Sequence, residues 1–217
     1  MKKCIIIANG KAPKRSDVIF FLKKGYDTIF CADGGANSIR KIGLAPNFII
    51  GDFDSVSKDT LNYFKDKSAI INFTRQTDTD VEKCLKFAIK KKFSEAILFG
   101  VTGDRLDHII CNLAIVIKFF DKIKCSIVAE KSFLSAFNSY VELKTKPNET
   151  ISIYAFDDKT KITSKGLKYP LKNSTLPFGK KESTSNVAVG DKVSLKIKNG
   201  IAFVIREMEK IKKYDLI

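Results

Sequence analysis

Long apolar runs are missing from this 217-residue chain, and with them any candidate for a membrane-spanning helix, which needs about 20 consecutive apolar residues. The start carries a charged Lys2-Lys3 head, but the apolar run after it is too short for a signal peptide and reads as a first strand. Paired cysteines are missing too. Cys4, Cys31, Cys84, Cys111 and Cys125 are odd in number, widely spaced and never in a CxxC pattern. This argues against a disulfide framework and for buried free thiols in a reducing cytoplasm. Histidine occurs once, at His108, and nothing resembles a Ser-His-Asp or Cys-His nucleophile set. The GxxxxGK[ST] pattern is absent, which disfavours a P-loop kinase. Arginine is scarce, at positions 15, 40, 75, 105 and 206, so the formal charge of +15 is mostly lysine spread along the whole chain. Without a helix-turn-helix, zinc-finger or RNA-binding aromatic signature, that charge reads as attraction for anionic small molecules, and no nucleic-acid or membrane partner is expected.

What is present is a globular composition, 44% hydrophobic and 29% charged, in a chain long enough for one or two domains. Residues 1–130 alternate short apolar runs with helical patterns. Strands are expected at 4–8, 28–32, 48–50, 69–73, 96–99 and 126–129, with the clearest helices at 80–91 and 106–120 and weaker ones at 17–24, 36–42 and 58–64. This is an α/β pattern, a three-layer and mostly parallel sheet. Residues 131–217 change character: alternation, turn residues and no convincing long helix. Short strands at 141–143, 150–156, 161–163, 187–189 and 193–198 suggest a small all-β sandwich or barrel. Asn199-Gly200 is a strong hairpin signal, predicted to pair 193–197 with 201–205.

The chemistry concentrates where the expected strands end. Gly51-Asp52-Phe53-Asp54-Ser55 follows a buried-strand run, and two carboxylates two residues apart point the same way if the chain stays extended. Crowded like charges favour a cation between them, so Asp52 and Asp54 are candidate ligands for a hard metal ion such as Mg²⁺. Gln76-Thr77-Asp78-Thr79-Asp80 opens a helix, where Thr79 and Glu82 fit a capping box and Asp80 offers a third metal-directed carboxylate. Asp33-Gly34-Gly35-Ala36 lets backbone N–H groups approach an anion, and equally suits a tight βα turn capped by Asp33. Lys11, Lys14 and Arg15 could touch phosphates but fit a solvated loop better. In the segment from Gly100 to His108, Arg105 can fork to a phosphate or to Asp107. His108 reads best as a first-turn residue bonded to a neighbour.

Taken in order, Asp33-Gly34-Gly35-Ala36-Asn37, the GDFDS block, Gln76-x-x-Thr79-Asp80, Gly100-x-Thr102-Gly103-x-Arg105-Leu106-Asp107-His108 and Thr184-Ser185-Asn186 resemble the thiamin pyrophosphokinase family over nearly the whole chain. The resemblance implies transfer of a diphosphoryl group from ATP to the hydroxyl of thiamin, giving thiamin diphosphate and AMP. It implies an α/β nucleotide-binding catalytic domain at 1–130, a thiamin-binding β-sandwich at 131–217, and a homodimer with thiamin between the α/β domain of one subunit and the sandwich of the other. By motif, Asp52, Asp54 and Asp80 would hold Mg²⁺ and, with Arg105 and Asp107, form the catalytic set. Asp33, Gly34, Gly35, Asn37, Thr79, Gly103 and Arg105 would bind ATP. Gln76, Asp107, Tyr169, Ser185 and Asn186 would bind thiamin.

Two departures stand out. Asp104 occupies a position where the family usually has glycine, adding a negative charge beside the expected phosphate loop. Tyr169 lies near a position where the family often has tryptophan, and offers a smaller stacking face. In the chemistry itself, Asp54 or Asp80 is the candidate to accept the alcohol's proton. Two rivals remain at this level: a Mg²⁺-dependent diphosphokinase for another alcohol such as a pterin, and a non-catalytic binder of nucleotide, thiamin or nucleic acid.

Overall fold

The computed structural model describes residues 1–73, 77–103 and 105–217, which divide into two compact units, Met1–Ala129 and Glu130–Ile217. The first unit is an α/β sheet. Its strands are β1 (Lys2–Ile7), β2 (Thr28–Ala32), β3 (Phe48–Gly51), β4 (Ala69–Asn72), β5 (Phe93–Phe99) and β6 (Lys124–Val128), alternating with α1 (Arg15–Leu22), α2 (Gly35–Lys41), α3 (Lys58–Phe64), α4 (Asp80–Lys90) and α5 (Leu106–Lys118). The strands run parallel in the order β6-β5-β1-β2-β3-β4. A sheet covered on both faces needs strands apolar throughout, and Cys4, Ile5, Ile6 and Ile7 of β1 are fully buried. A face of aromatic rings backs it: Phe30 stacks on Phe48 at 4.9 Å and meets Phe93 edge-on at 5.4 Å.

The strand order reverses direction at β1. The chain proceeds from β1 outward through β2, β3 and β4, then returns to β5 on the other side of β1. A crevice opens beyond the carboxyl ends of strands at such a switch point, and ligands bind there. The loops after β1 and β5 are tied together by Gly10 N–H donating to the Gly100 carbonyl (2.7 Å) and Lys11 N–H to that of Thr102 (2.7 Å). Gly100 has φ +66°, and a Cβ there would lie 2.2 Å from the Ala8 carbonyl oxygen, so only glycine closes this junction.

The second unit is a two-sheet sandwich, as the alternating strands predict. Its elements are β7 (Ser132–Phe137), β8 (Tyr140–Lys144), β9 (Thr150–Ala155), β10 (Lys161–Lys165), β11 (Ser174–Thr175), β12 (Ser183–Val187), β13 (Lys192–Lys198), β14 (Ala202–Glu207) and α6 (Met208–Tyr214). The sheets run β12-β9-β14-β7 and β11-β10-β13-β8, with antiparallel pairs throughout. Ile151, Ile153, Ile162, Val193, Leu195 and Val204 meet in one core. The predicted hairpin at Asn199-Gly200 is corrected. Asn199 takes the expected left-handed conformation (φ 61°), but β13 pairs with β8 and β10 while β14 pairs with β7 and β9. The turn therefore carries the chain from one sheet to the other. Along β13 burial alternates, with Val193, Leu195 and Ile197 buried, whereas consecutive residues Ala202, Phe203 and Val204 of β14 are all buried. A strand has two hydrogen-bonding edges, and β8 and β10 fill both edges of β13 while β7 and β9 fill both of β14, which leaves none for a ladder between β13 and β14. The strand expected at 187–189 lies earlier, at Ser183–Val187, and α6, absent from the expectation, buries Met208 and Ile211.

Candidate active site

Three carboxylates from three loops of the first unit converge. Asp33 follows β2, Asp52 follows β3 and Asp80 opens α4, and one oxygen from each lies within 4.8 Å of the others. Each is placed by local structure. Asp33 takes a left-handed φ of 43° and is buried; its Oδ2 accepts from Ser55 N–H (2.9 Å) and its Oδ1 from Val56 N–H (3.3 Å). It thereby pins the Gly51-to-Ser55 loop against β2. Gly51 makes room for it, since a Cβ there would lie 2.7 Å from the Asp33 Cβ. Burial pushes the Asp33 carboxyl up to about 6, with the Ser55 N–H pulling it down and Asp54 and Asp80 pushing it further up.

Asp80 is the first residue of α4, held by a reciprocal capping box: Thr79 Oγ1 accepts from Glu82 N–H and the Glu82 carboxylate from Thr79 N–H. Glu82 is buried and is also paired with Lys118. Asp52 is half-buried, and its Oδ1 is fully enclosed with no hydrogen-bond partner among the described residues. A buried carboxylate oxygen without a partner is costly. Phe53, with φ 67°, breaks the extended path between Asp52 and Asp54. Asp54 is accordingly exposed beside the triad, accepting from Ser55 Oγ at 2.8 Å, and Asp33 takes the third place in the carboxylate group. Ser55 and Asp33 together hold the Asp54 carboxyl below its ordinary value.

The pattern reading missed Lys83. It lies one turn after Asp80, its side chain is 5% exposed, and its ammonium sits 2.8 Å from Asp80 Oδ1 and 3.7 Å from Asp52 Oδ2. Burial alone would lower its pKa, but Asp80, Asp52 and Asp33 outweigh it and the ammonium is held above its ordinary value. No local pattern pointed to it: on the helical wheel Lys83 falls on the side of α4 opposite Val81, Leu85 and Ala88, where a lysine is expected in solvent, and only its spacing of three from Asp80 suggested a pair.

A cleft of about 740 Å³ opens over these groups. Asn9 and Gly10 after β1, Gly100 to Gly103 after β5, and Asp78 and Thr79 line it, along with Arg105, Asp107 and His108 at the start of α5. Arg105 forks onto Asp107, Nη2 to Oδ2 at 2.5 Å and Nε to Oδ1 at 3.2 Å, and draws the Asp107 carboxyl below its ordinary value. His108 stands 3.9 Å from the same carboxylate. Gly34, Gly35 and Asn37 shape the site from behind. A Cβ on Gly34 would strike the Asn9 side chain, one on Gly35 the Ile7 carbonyl, and Asn37 ties α2 to the Ser55 carbonyl and Ser57 N–H. Gln76 and Asp104 lie outside the described residues.

The second unit brings Tyr169, Ser185 and Asn186 together. Asn186 is buried, and its amide clamps Tyr169, with Nδ2 donating to the Tyr169 carbonyl (2.7 Å) and Oδ1 accepting from its N–H (3.1 Å). The Tyr169 ring is exposed. Ser185 is exposed in a left-handed conformation (φ 54°), its N–H donating to Ser152 Oγ at 2.9 Å.

Comparison with known proteins agrees with this anatomy. Residues 22–129 match the family model "Thiamin pyrophosphokinase, catalytic domain", and residues 139–202 match "Thiamin pyrophosphokinase, vitamin B1 binding domain". The chain is 31% identical over 202 residues to Thiamin pyrophosphokinase 1 of Caenorhabditis elegans, spanning 84% of this chain and 80% of the relative. It is 25% identical over 183 residues to Thiamine pyrophosphokinase of Bacillus subtilis, spanning 82% and 86%. The crystal structure of the Bacillus subtilis protein superposes with a TM-score of 0.82 over 95% of this chain and 99% of that one, at 24% identity. Thiamin pyrophosphokinase from Candida albicans gives 0.81 over 95% and 89%, at 18% identity, a likeness of fold. Neither a pterin diphosphokinase nor a non-catalytic binder is favoured by these matches.

Proposed function

We propose how this chain works as an enzyme of the thiamin pyrophosphokinase family, to which it belongs. As a thiamin diphosphokinase it transfers the diphosphoryl group of ATP to the thiamin hydroxyl, and AMP leaves. The reaction holds an anionic phosphate chain against the attacking oxygen and develops charge on the departing AMP oxygen, and the protein's task is chiefly to position the group and to neutralise that charge. The observation that carries the site assignment is the Asp33–Asp52–Asp80 group with its unpartnered Asp52 oxygen. Three carboxylates and an orphaned acceptor suit a hard, oxygen-seeking cation, so these residues would hold Mg²⁺. When bound, Mg²⁺ would offset phosphate charge and draw electron density from the reacting phosphorus.

The remaining roles belong to the chain itself. Arg105 and Gly103 line the cleft where the nucleotide's phosphates would lie, while Gly34, Gly35, Asn37 and Thr79 keep its walls in place. Asp80 is engaged by Lys83, whereas Asp54 is exposed in the cleft, which favours Asp54 as acceptor of the thiamin hydroxyl's proton. A loose transition state asks little basicity of it. Asp107 would face cationic thiamin, with Gln76 assigned there by motif. The exposed Tyr169 ring would stack on thiamin and Ser185 would bond it. A homodimer with thiamin between the α/β domain of one subunit and the sandwich of its partner is part of the proposal, and rests on the family resemblance. The cytoplasm, where thiols stay reduced, suits five free cysteines. None of the described helices is long and apolar enough to cross a membrane. An acceptor panel tests the substrate assignment: mass spectrometry should find a diphosphorylated product with thiamin and none with a hydroxymethyl pterin, and the reverse would refute it.

Two further outcomes follow from the geometry. Asn186 acts on thiamin through Tyr169, so Asn186→Ala should raise the KM for thiamin about tenfold, the worth of a lost buried hydrogen-bond pair, and leave kcat within about twofold. Steady-state kinetics at saturating ATP measures this. Metal binding should also depend on pH. Asp33 must be ionised to bind a cation and titrates near 6, above the ordinary carboxyl range. Mn²⁺ affinity should therefore be flat above about pH 7 and fall by up to about tenfold per unit below 6, as calorimetry without nucleotide would record.

A further inference from the structure

A helix pair such as Asp80 and Lys83, three residues apart, normally sits in solvent and contributes little. This one does not. The Lys83 side chain is 5% exposed, and its ammonium lies among the same carboxylates that would receive a metal. A buried lysine persists only when paired, and three crowded carboxylates persist only when neutralised. Each therefore supplies what the other lacks. Lysine suits this use better than arginine, because its ammonium is a compact point charge with three donors. Its hydrogen bond occupies Asp80 Oδ1 while Asp52 Oδ1 has no partner among the described residues, so the basin is neutralised on one side and left open on the other.

We propose that Lys83 is the internal counter-ion of the acidic basin: its ammonium stands in for a divalent cation between Asp80 and Asp52 and competes with that cation for Asp80. This inference rests on the metal assignment above. Lys83 is thus a positioning residue, holding the three carboxylates together before metal arrives and weakening the affinity of the empty basin for metal alone. The same competition favours metal that arrives with its own anionic partner, since a triphosphate gives the displaced ammonium a new counter-charge.

Direct Mn²⁺ binding to the full chain without nucleotide tests this, read by electron paramagnetic resonance of the free ion. Lys83→Met should bind Mn²⁺ about tenfold or more tightly than the wild type, because one positive charge within a few ångströms of the ligands is gone. A purely structural lysine predicts the opposite, a disorganised basin with weaker binding, and equal or weaker affinity in the variant would overturn the inference. Absence of Mn²⁺ binding in both proteins would overturn the metal assignment and this inference with it. A second measurement uses the wild type alone, in case the variant does not fold. The ¹⁵N signal of the Lys83 ammonium should shift during a Mg²⁺ titration, with the midpoint of metal binding. A signal unmoved at saturating Mg²⁺ would refute the competition.

Discussion

Asp52→Asn should lower kcat/KM for thiamin diphosphate formation by about 10²–10³-fold, the scale on which enzymes lose activity when one preorganised electrostatic group is removed. Asparagine keeps the shape of the side chain and removes the charge. The metal-free protein should not lose stability with it. Asp52 already has one enclosed oxygen without a partner, and it crowds Asp33 and Asp80 within 4.8 Å. Removing a like charge from that group relieves repulsion, so the thermal midpoint without metal should hold or rise. Together the two readouts separate chemistry from folding. A loss below tenfold would remove Asp52 from the metal set, and a fall in the midpoint would show that the carboxylate serves the fold.

Arg206→Met should be the most damaging single change in the sandwich, costing about 3–5 kcal/mol. Glu149 is fully buried and Arg206 nearly so. The guanidinium Nε donates to Glu149 Oε1 at 2.7 Å and Nη2 to Oε2 at 3.1 Å, while other donors reach the Lys144 carbonyl (2.6 Å) and the Leu216 carbonyl (3.3 Å). One side chain thus closes β8, the β8–β9 connection and the segment after α6 onto β14. Methionine fills much of the volume but leaves the Glu149 carboxylate buried without its cation. Hydrogen exchange of the β9 and β14 amides should show the loss directly. The double variant Glu149→Leu with Arg206→Met should recover most of it, because the cost lies in the abandoned charge. Equal losses in the single and double variants would mean that the carbonyl contacts, not the ion pair, carry the stability.

How much of this could be read in advance depends on whether the cause was local. The capping box at Thr79 and Glu82, the buried run of β1 and the alternation of β13 are written within a few neighbouring residues, and the structure has each of them. The carboxylate triad is different. Asp52 and Asp80 stood out as carboxylates at a strand end and a helix start, but Asp33 joins them through the parallel packing of β2 beside β3, a contact no spacing rule supplies. The left-handed Phe53 then turns Asp54 away, where an extended chain would have aligned it with Asp52. Asn199-Gly200 shows the same limit. The turn conformation was legible, but whether it joins neighbours in one sheet or crosses between two depends on which strands fill the edges of β13 and β14, and those partners lie far away in the chain. Asn186 was legible as part of a thiamin motif, while the direction of its amide, inward onto Tyr169, needed the fold.

The central claim is a metal-dependent transfer of a diphosphoryl group to thiamin. Its most direct test incubates the protein with ATP and thiamin, with and without Mg²⁺. AMP is measured alongside thiamin diphosphate, the latter by fluorescence after oxidation to the thiochrome derivative. The account predicts AMP and thiamin diphosphate in equal amounts, both requiring thiamin and both abolished by chelating the metal. ADP in place of AMP, AMP without thiamin diphosphate, or undiminished product after chelation would contradict it.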